Sequence, residues 1–220
     1  MNEVIQSSAV NEVIQSSAVN EVIQSSAVNK TRLLLVSGST RRGSTNTAVL
    51  RTAAAVAPPG THSELFDGLA ELPAFNPDDD HEPLPAPVNE LRRQIAEADA
   101  ILFCTPEYAG ALPGSFKNLL DWTVGGGEIY RKPVAWINAS SVAAPTGGAG
   151  AHTSLATVLG YVGADVIEPA CLRLPMSRDL VGTDGLVSEQ GLREKLASAV
   201  RALLGHRPAE STATECTLSP

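Results

Sequence analysis

Short apolar runs alternate with longer mixed segments from Arg32 onward, and this pattern predicts strands that alternate with helices. Unbroken apolar runs at residues 33–36 and 100–104 are typical of strands buried on both faces. A weaker strand is predicted at 63–66, a further one at 134–137, and the last at 165–167 or 171–172. Helices are predicted between and after them at about 45–56, 88–98, 115–124, 151–162 and 188–204.

Strands and helices in this alternation predict one α/β domain, a doubly wound five-stranded parallel sheet with helices on both faces. Ligands of such sheets bind at the carboxyl ends of the strands, near the point where the strand order reverses. We therefore expect the functional residues in the loops after the first, third and fourth strands.

The repeats at the beginning of the chain present no continuous apolar face that could pack against a core. Residues 2–28 are the nonapeptide Asn-Glu-Val-Ile-Gln-Ser-Ser-Ala-Val written three times, starting at Asn2, Asn11 and Asn20. A shift of nine residues turns a helix by about half a turn and moves a strand residue to the other face, so no continuous apolar stripe results. We predict a mobile tail over 1–30, one domain over 31–205 and a C-terminal tail over 206–220.

Composition and charge exclude several classes of protein. The 220 residues are 43% hydrophobic and 18% charged, and no apolar run approaches the length of a membrane span. The formal charge of -8 and the lack of a basic block argue against a nucleic-acid surface. Cys104, Cys171 and Cys216 follow no metal or disulfide spacing, and the first residues lack the pattern of a secretory signal. We expect a cytoplasmic protein that binds neither nucleic acid nor membranes.

The loop after the first strand predicts a phosphate site. Residues 38–46 read Gly-Ser-Thr-Arg-Arg-Gly-Ser-Thr-Asn and open a helix, whose first amides favour an anion beside the hydroxyl groups and an arginine. Gly38 and Gly43 have the spacing of a Walker A loop, but Ser44 stands where that loop requires lysine. The competing interpretation is an ordinary turn in which Ser44 caps the helix.

The loop after the third strand brings in a family resemblance. Residues 105–122 read Thr-Pro-Glu-Tyr-Ala-Gly-Ala-Leu-Pro-Gly-Ser-Phe-Lys-Asn-Leu-Leu-Asp-Trp. Together with the first loop, this stretch resembles the NADPH-dependent FMN reductases, a flavodoxin-like family that includes quinone, azo-dye and chromate reductases. The resemblance covers about residues 32–204 and implies a flavodoxin-like fold that binds FMN.

The resemblance also implies the residues that contact FMN. Those expected at its phosphate are Ser39, Arg41, Ser44, Thr45 and Asn46, and those expected along its isoalloxazine ring are Pro106, Glu107, Tyr108, Ala109 and Gly110. In the Gly/Ala-rich loop of residues 139–150, which covers the flavin edge in the family, we expect contacts from Ser140, Gly147 and Gly148. The family usually has Asn at position 109, so a side-chain contact is lost there. A simple loop anchor is the competing interpretation of Tyr108.

The resemblance implies an NAD(P)H oxidoreductase that passes hydride from NADPH or NADH through FMN to a flavin, a quinone or another small acceptor. Such a transfer requires two positioned rings and no acid–base pair, so no catalytic side chain is predicted. The motifs of serine hydrolases, zincins and dithiol reductases are missing. The alternative is a non-enzymatic, flavodoxin-like electron carrier. Because flavodoxin phosphate loops use hydroxyl groups without an arginine, Arg41 favours the reductase.

Three further features carry expectations of their own. Residues 73–87 form a proline-rich loop, whose Asp-Asp-Asp-His at 78–81 predicts a solvated acidic surface rather than a metal site. His152 is expected to face solvent or to cap a helix rather than to act as a base. The helix after Gly114 predicts a homodimer or homotetramer, since its apolar residues span about 200° and exceed the stripe needed for one core. These residues are Phe116, Leu119, Leu120, Trp122 and Val124, and the resemblance places Lys117 and Asp121 at the subunit interface.

Overall fold

The computed structural model describes residues 30–141 and 144–206. The predicted N-terminal tail, apart from Lys30, and the predicted C-terminal tail, apart from His206, lie outside the described residues. Six strands and five α-helices lie in the described part of the chain.

Six parallel strands form one sheet. They are β1 (Thr31–Ser37), β2 (Thr61–Phe66), β3 (Ala100–Thr105), β4 (Pro133–Ser140), β5 (Asp165–Val166) and β6 (Leu172–Pro175). The order is β2-β1-β3-β4-β5, and β6 also pairs with β4. This order reverses between β1 and β3, as in flavodoxin-like sheets, and confirms the predicted fold class.

Both candidates for the last strand pair with β4, so the sheet gains one short strand over the prediction. Pro133 and Val134 pair with β5, and residues 137–140 pair with β6. The chain leaves the sheet between them in a short 3-10 turn, Glu168–Ala170, which contains Pro169. Proline has no amide hydrogen for the ladder, and the edge is therefore divided between two segments.

Five helices begin within two residues of their predicted positions. They are α1 (Thr45–Ala55), α2 (Ala86–Glu97), α3 (Gly114–Asp121), α4 (Ala149–Tyr161) and α5 (Gln190–Leu204). None of the helices in the described residues combines the length and the apolar character that crossing a membrane requires.

Each face of the sheet has its own hydrophobic core. Leu33 and Leu35 pack with α1 and α5 on one face, whereas Leu34 and Val36 pack with α2, α3 and α4 on the other. Successive side chains of a strand point to opposite faces. Both faces are thus buried, which explains the unbroken apolar run of β1.

The apolar arc of α3 is buried within the chain itself. Phe116, Leu119, Leu120 and Trp122 are all fully buried, and only Val124, after the helix, is exposed. The sheet covers one side of the arc, while the loop after β2 covers the other. Leu69, Leu72 and Phe75 of that loop join the same core, and the Phe75 ring meets the Trp122 ring edge-on at 5.0 Å. Contrary to the prediction, this arc does not require a second subunit to bury it.

The acidic loop is only partly solvated. Asp78 and Asp79 are exposed as predicted, but the carboxylate of Asp80 is 11% exposed and pairs with Arg92 at 2.6 Å. The expectation of a wholly solvated surface was wrong at Asp80, because the loop folds back over α2 and α3. Among the described residues, no group of three or more His, Cys, Asp and Glu side chains is placed to hold a metal ion.

Candidate functional site

Loops at the carboxyl end of the sheet enclose a cavity of about 680 Å³. Its lining comes from the loops after β1, β3 and β4, as predicted, and also from the loop after β6. The volume lies within the range of small-molecule and cofactor sites. The parallel strands bring these loops together, since all their carboxyl ends meet at the same edge.

The first loop lies directly against the end of β3. The amide of Gly38 donates to the Cys104 carbonyl at 2.8 Å, so the sheet pairing continues one residue past β1. A Cβ atom on Gly38 would lie 2.5 Å from the Thr105 hydroxyl and 2.9 Å from the Phe116 ring. Only glycine fits this approach. The loop then turns at Gly43, which has a φ of 65°, and enters α1.

The amino end of α1 faces this cavity. Ser44 caps the helix, and its hydroxyl accepts from the Asn46 amide at 3.2 Å, as the competing interpretation of the loop expects. Ser44 lines the cavity as well, so capping does not remove it from the site. Ser39, Arg41 and Thr45 also line the cavity. Hydroxyl groups, a guanidinium and the first amides of α1 are thus gathered at one end.

Asn46 lines the cavity but is almost fully buried. Its Oδ1 accepts from the Cys104 thiol at 3.3 Å, and burial raises the pKa of that thiol. A protonated thiol is the donor that this contact requires. The Asn46 side chain therefore links the first loop to β3.

The second loop contains a two-residue hairpin. Tyr108 and Ala111 exchange backbone hydrogen bonds of 3.0 Å, and Ala109 and Gly110 between them have φ angles of 51° and 76°. Two left-handed residues define a type I′ turn, in which Asn-Gly is the favoured pair and alanine is strained. The amides of Ala109 and Gly110 have no acceptor among the described residues. Pro106, Glu107, Tyr108, Ala109 and Gly110 all line the cavity.

The Glu107 carboxylate ties the second loop to the third. Its oxygens accept from the Thr146 hydroxyl and, at 3.0 Å, from the Ala151 amide in the first turn of α4. These hydrogen bonds, that from Thr146 first, lower the pKa of Glu107. Gly150 packs directly on the Gly110 carbonyl, with no room for a Cβ. The two loops therefore form one joined wall.

The structure separates the predicted residues of the third loop. Ser140 lines the cavity, but Gly147 and Gly148 do not. These glycines have φ angles of 58° and 83° and form the turn into α4. Glycine is therefore needed at these positions for the left-handed backbone of the turn rather than for a close approach to the cavity. Their contact with FMN stays a prediction, as do all the other individual cofactor contacts.

Nine residues that line the cavity were missed by the sequence analysis. They are Gly43, Ala139, Ser141, Ala144, Pro145, Thr146, Met176, Ser177 and Arg178. Six of them belong to the predicted loops, within which the sequence did not show that these positions face the cavity. The last three follow β6, where the Met176 amide donates to the Ser140 carbonyl at 2.7 Å. The candidate strand at 171–172 was the available signal, because its carboxyl end reaches the same edge.

His152 is neither solvent-facing nor a cap, contrary to expectation. It is half-buried on α4, and its Nδ1 accepts from the Trp136 indole at 2.9 Å. Burial, with a smaller contribution from Arg173, lowers the pKa of His152. The ring packs against β4 and does not line the cavity, which gives it no place as a base there.

Comparison with known proteins identifies the relationship. The profile of the NADPH-dependent FMN reductase family matches residues 31–178. An NAD(P)H-dependent FMN reductase of Pseudomonas aeruginosa is 32% identical over 174 residues, which are 78% of this chain and 92% of the relative. A quinone reductase of Escherichia coli is 30% identical over 177 residues, which are 79% and 93% of the two chains.

The solved structures agree with the sequence relatives. The flavoenzyme NAD(P)H:(acceptor) oxidoreductase of Paracoccus denitrificans superposes with a TM-score of 0.70 at 26% identity, covering 80% of this chain and 96% of that one. These matches confirm the resemblance, the oxidoreductase class and the FMN and nicotinamide nucleotide expected from it. The chain belongs to the NADPH-dependent FMN reductase family.

Proposed function

We propose that this chain binds one FMN in the carboxyl-end cavity and uses it to carry hydride from NADPH or NADH to a quinone, a flavin or another small acceptor. The observation that carries the proposal is that one cavity has a cationic end and, opposite in character, an end formed by backbone amides. The amino end of α1 and Arg41 form a cationic end, and the hairpin at residues 108–111 forms a narrow backbone edge. A ligand with a phosphate and a planar ring system has the same two ends.

The donors at the first end fit a phosphate. Amides in the first turn of a helix have no carbonyl partner within it and favour an anion. Arg41 forms no ion pair with any side chain in residues 30–141 or 144–206, so its charge is available. We assign the phosphate to these groups and to the hydroxyls of Ser39, Ser44 and Thr45. Asn46 supports the loop through Cys104.

The second end fits the ring. The free amides of Ala109 and Gly110 line the cavity and offer donors to ring oxygens or nitrogens. Glu107 ties the loop that contains the hairpin to the third loop and the start of α4, which keeps this edge in place. Bound FMN supplies the hydride chemistry, and the residues of this chain position the rings and close the site against water. No acid–base side chain is required.

The names of the relatives support a small acceptor. The Pseudomonas aeruginosa relative is an FMN reductase, and the Escherichia coli relative is a quinone reductase. We propose a quinone or a flavin as acceptor for this chain as well. The free thiols of Cys104 and Cys171 suit a reducing compartment, and we place the enzyme in the cytoplasm.

We also propose that the chain forms a homodimer or a homotetramer. An open groove of about 380 Å³ lies beside the hairpin, between the start of α3 and the outer face of α4. Its lining is Ala111, Leu112, Lys117, Thr153, Ser154, Thr157 and Val158. We propose that a second copy of the chain packs against this groove, and not against the apolar arc of α3, which is already buried. Within the chain, Lys117 pairs with Asp121 at 2.5 Å, and both are partly exposed.

Light scattering tests the assembly. Lys117→Glu should weaken assembly and FMN retention together, because it removes the cation that lines this groove and places two acidic groups four residues apart. Adding Asp121→Lys restores opposite charges and should recover part of both. A stable monomer that retains all its FMN would contradict this proposal.

Cofactor content and turnover test the enzymatic proposal. The purified protein should be yellow and release FMN rather than FAD on denaturation. Arg41→Ala removes a charge-assisted hydrogen bond worth about 1.5 to 3 kcal/mol, so the FMN dissociation constant should rise roughly tenfold to a hundredfold. Arg201→Ala is the matched control, since Arg201 lies on the exposed side of α5, away from the cavity. Steady NADPH oxidation with a quinone separates an enzyme from an electron carrier, which would show none.

A further inference from the structure

His152 contacts two side chains of β4 through a single nitrogen atom. Trp136 and Asn138 stand two residues apart on β4 and point to the same face of the sheet. The Trp136 indole donates to the Nδ1 atom of His152 at 2.9 Å, and the Oδ1 atom of Asn138 lies 3.0 Å from the same nitrogen. Trp136 and Asn138 are both almost fully buried, so solvent offers no ready replacement for either contact.

These two contacts require opposite states of Nδ1. An indole N–H can only donate, so its partner must be a nitrogen with a free lone pair, whereas a carboxamide oxygen accepts and requires a nitrogen that carries a proton. The uncharged imidazole, with its proton on Nε2, therefore holds Trp136. A further proton enters at Nδ1, which then donates to Asn138 and leaves the Trp136 indole without its acceptor.

The surroundings of His152 favour the uncharged form. Burial lowers the pKa of His152, Arg173 on β6 lowers it further, and Glu168 in the turn after β5 acts in the opposite direction. Glu107 is the charged group of the second loop on this side, and its carboxylate is already engaged by the first turn of α4. The two side chains of β4 carry no charge. The imidazole is therefore uncharged at neutral pH and gains its proton below its ordinary pKa of 6.5.

Asn138 connects His152 to both loops of the joined wall. Its Nδ2 atom lies 3.5 Å from the Thr105 carbonyl, where the second loop begins, so its oxygen faces His152. The turn into α4 rests on the same side chain, because a Cβ atom on Gly148 would be 3.0 Å from the Cβ atom of Asn138. The next two residues of β4 line the cavity. A change of partner at His152 is thus passed to the backbone that surrounds the cavity.

We propose that His152 is a positioning residue of this wall, and that FMN binds the form in which the uncharged imidazole holds Trp136. Protonation transfers the contact of α4 from Trp136 to Asn138 and shifts the third loop away from the flavin. The inference rests on the proposed function, because the wall is the one assigned to the flavin ring. A ligand that prefers one of two forms shifts the equilibrium toward that form, so FMN and the proton on His152 oppose each other.

The two tryptophans of the chain provide a measurement and its internal control. The Trp122 indole donates to the Pro73 carbonyl, an acceptor that does not titrate. In two-dimensional NMR spectra of the indole N–H groups, recorded with and without FMN, the Trp136 resonance should shift with pH in one step below 6.5, while the Trp122 resonance stays in place. The loss of one resonance in Trp136→Phe identifies the two signals.

Variants of histidine assign the step. His152→Gln cannot titrate and should abolish the step at the Trp136 resonance. His62→Gln is the matched control, because His62 is exposed on β2, and the step should persist in it.

The FMN dissociation constant is the functional readout. From neutral pH down to about pH 5, where ordinary carboxylates stay largely ionised, this constant should rise about twofold to tenfold more in wild type than in His152→Gln, which is the effect of one neutral hydrogen bond. The phosphate of FMN takes up a proton in the same range, but it does so equally in both proteins.

A Trp136 resonance that does not move with pH, or that moves equally in His152→Gln, would overturn the proposal. Parallel FMN affinities of wild type and His152→Gln would also overturn it, since His152 would then have only a structural role. Failure of the proposed function has a different signature: the protein binds no FMN at any pH, while the Trp136 resonance still decides whether His152 exchanges its partner.

Discussion

Arg92 joins three segments that are distant in sequence, and its loss should be costly. Its Nη2 donates to Asp80 at 2.6 Å, and its Nε and Nη2 donate to the Trp122 carbonyl at 3.0 and 2.8 Å. The side chains of Arg92 and Asp80 are only 10% and 11% exposed. The guanidinium therefore fastens the acidic loop and the carboxyl end of α3 to α2.

Arg92→Met keeps most of the aliphatic volume but removes every one of these donors. It leaves a buried carboxylate on Asp80 without its cation and the Trp122 carbonyl without these two hydrogen bonds. Breaking one partner of a buried pair costs about 3 to 5 kcal/mol, and the slight exposure of this pair places the expected loss at the lower end. Asp80→Asn, which can still accept a hydrogen bond, should cost about 1 to 2 kcal/mol.

Urea unfolding followed by far-ultraviolet circular dichroism measures these losses by linear extrapolation. Arg93→Met is the matched control, one residue further along α2. Arg93 is 46% exposed and pairs with Glu90 and Glu97, so its replacement should leave the free energy of unfolding nearly unchanged. In Arg92→Met with Asp80→Leu, the loss should be smaller than the sum of the single losses. Equal effects of Arg92→Met and Arg93→Met would refute the reasoning.

Three further predictions concern the joined loops of the cavity. Ala109→Gly should raise the free energy of unfolding by about 0.5 to 1 kcal/mol, because relief of the left-handed backbone strain exceeds the entropy that glycine adds to the unfolded chain. Ala111→Gly is the control: it lies outside the left-handed pair and should lower the free energy of unfolding in the same urea titration. Gly150→Ala should weaken FMN binding in a fluorescence titration, because a Cβ there collides with the Gly110 carbonyl and separates the two loops; an unchanged dissociation constant would mean that the loops act independently. Glu107 has a lowered pKa in the folded state, so its stabilising effect is complete above its ordinary value of 4.5 and is lost as pH falls through the lowered value. Wild type should therefore lose more stability than Glu107→Gln over that acidic range, and parallel pH profiles would contradict this account.

The location of the cavity was predictable because it depends on local patterns. Strands buried on both faces have unbroken apolar runs in the sequence. The loops that follow β1 and β3 contain a phosphate-binding pattern and a family motif that can be recognised without a structure. Eleven of the thirteen residues expected at the cofactor line the cavity. The two exceptions, Gly147 and Gly148, belong to a loop whose small residues give no sign of which positions face inward.

The errors share a physical origin in contacts between distant segments. An apolar arc on α3 indicates that two surfaces cover it, but a helical wheel cannot distinguish a partner subunit from the chain's own loop. Here Phe75 covers Trp122, and the Trp122 indole donates to the Pro73 carbonyl at 2.9 Å. In the sequence, Asp80 likewise cannot be distinguished from its neighbours Asp78 and Asp79. Only the fold places Arg92 beside it and buries the pair.

The sequence by itself determined the order of strands and helices, the parallel sheet, the phosphate loop and the family, since each depends on residues that are near neighbours in the chain. Only the tertiary structure decided which side chains meet across the sheet edge. Arg178 joins Arg41, Arg42 and Arg51 because β6 ends beside β4, although more than a hundred positions separate it from them along the chain. Such a convergence is set by strand pairing and loop packing, and no pattern within a single segment records it.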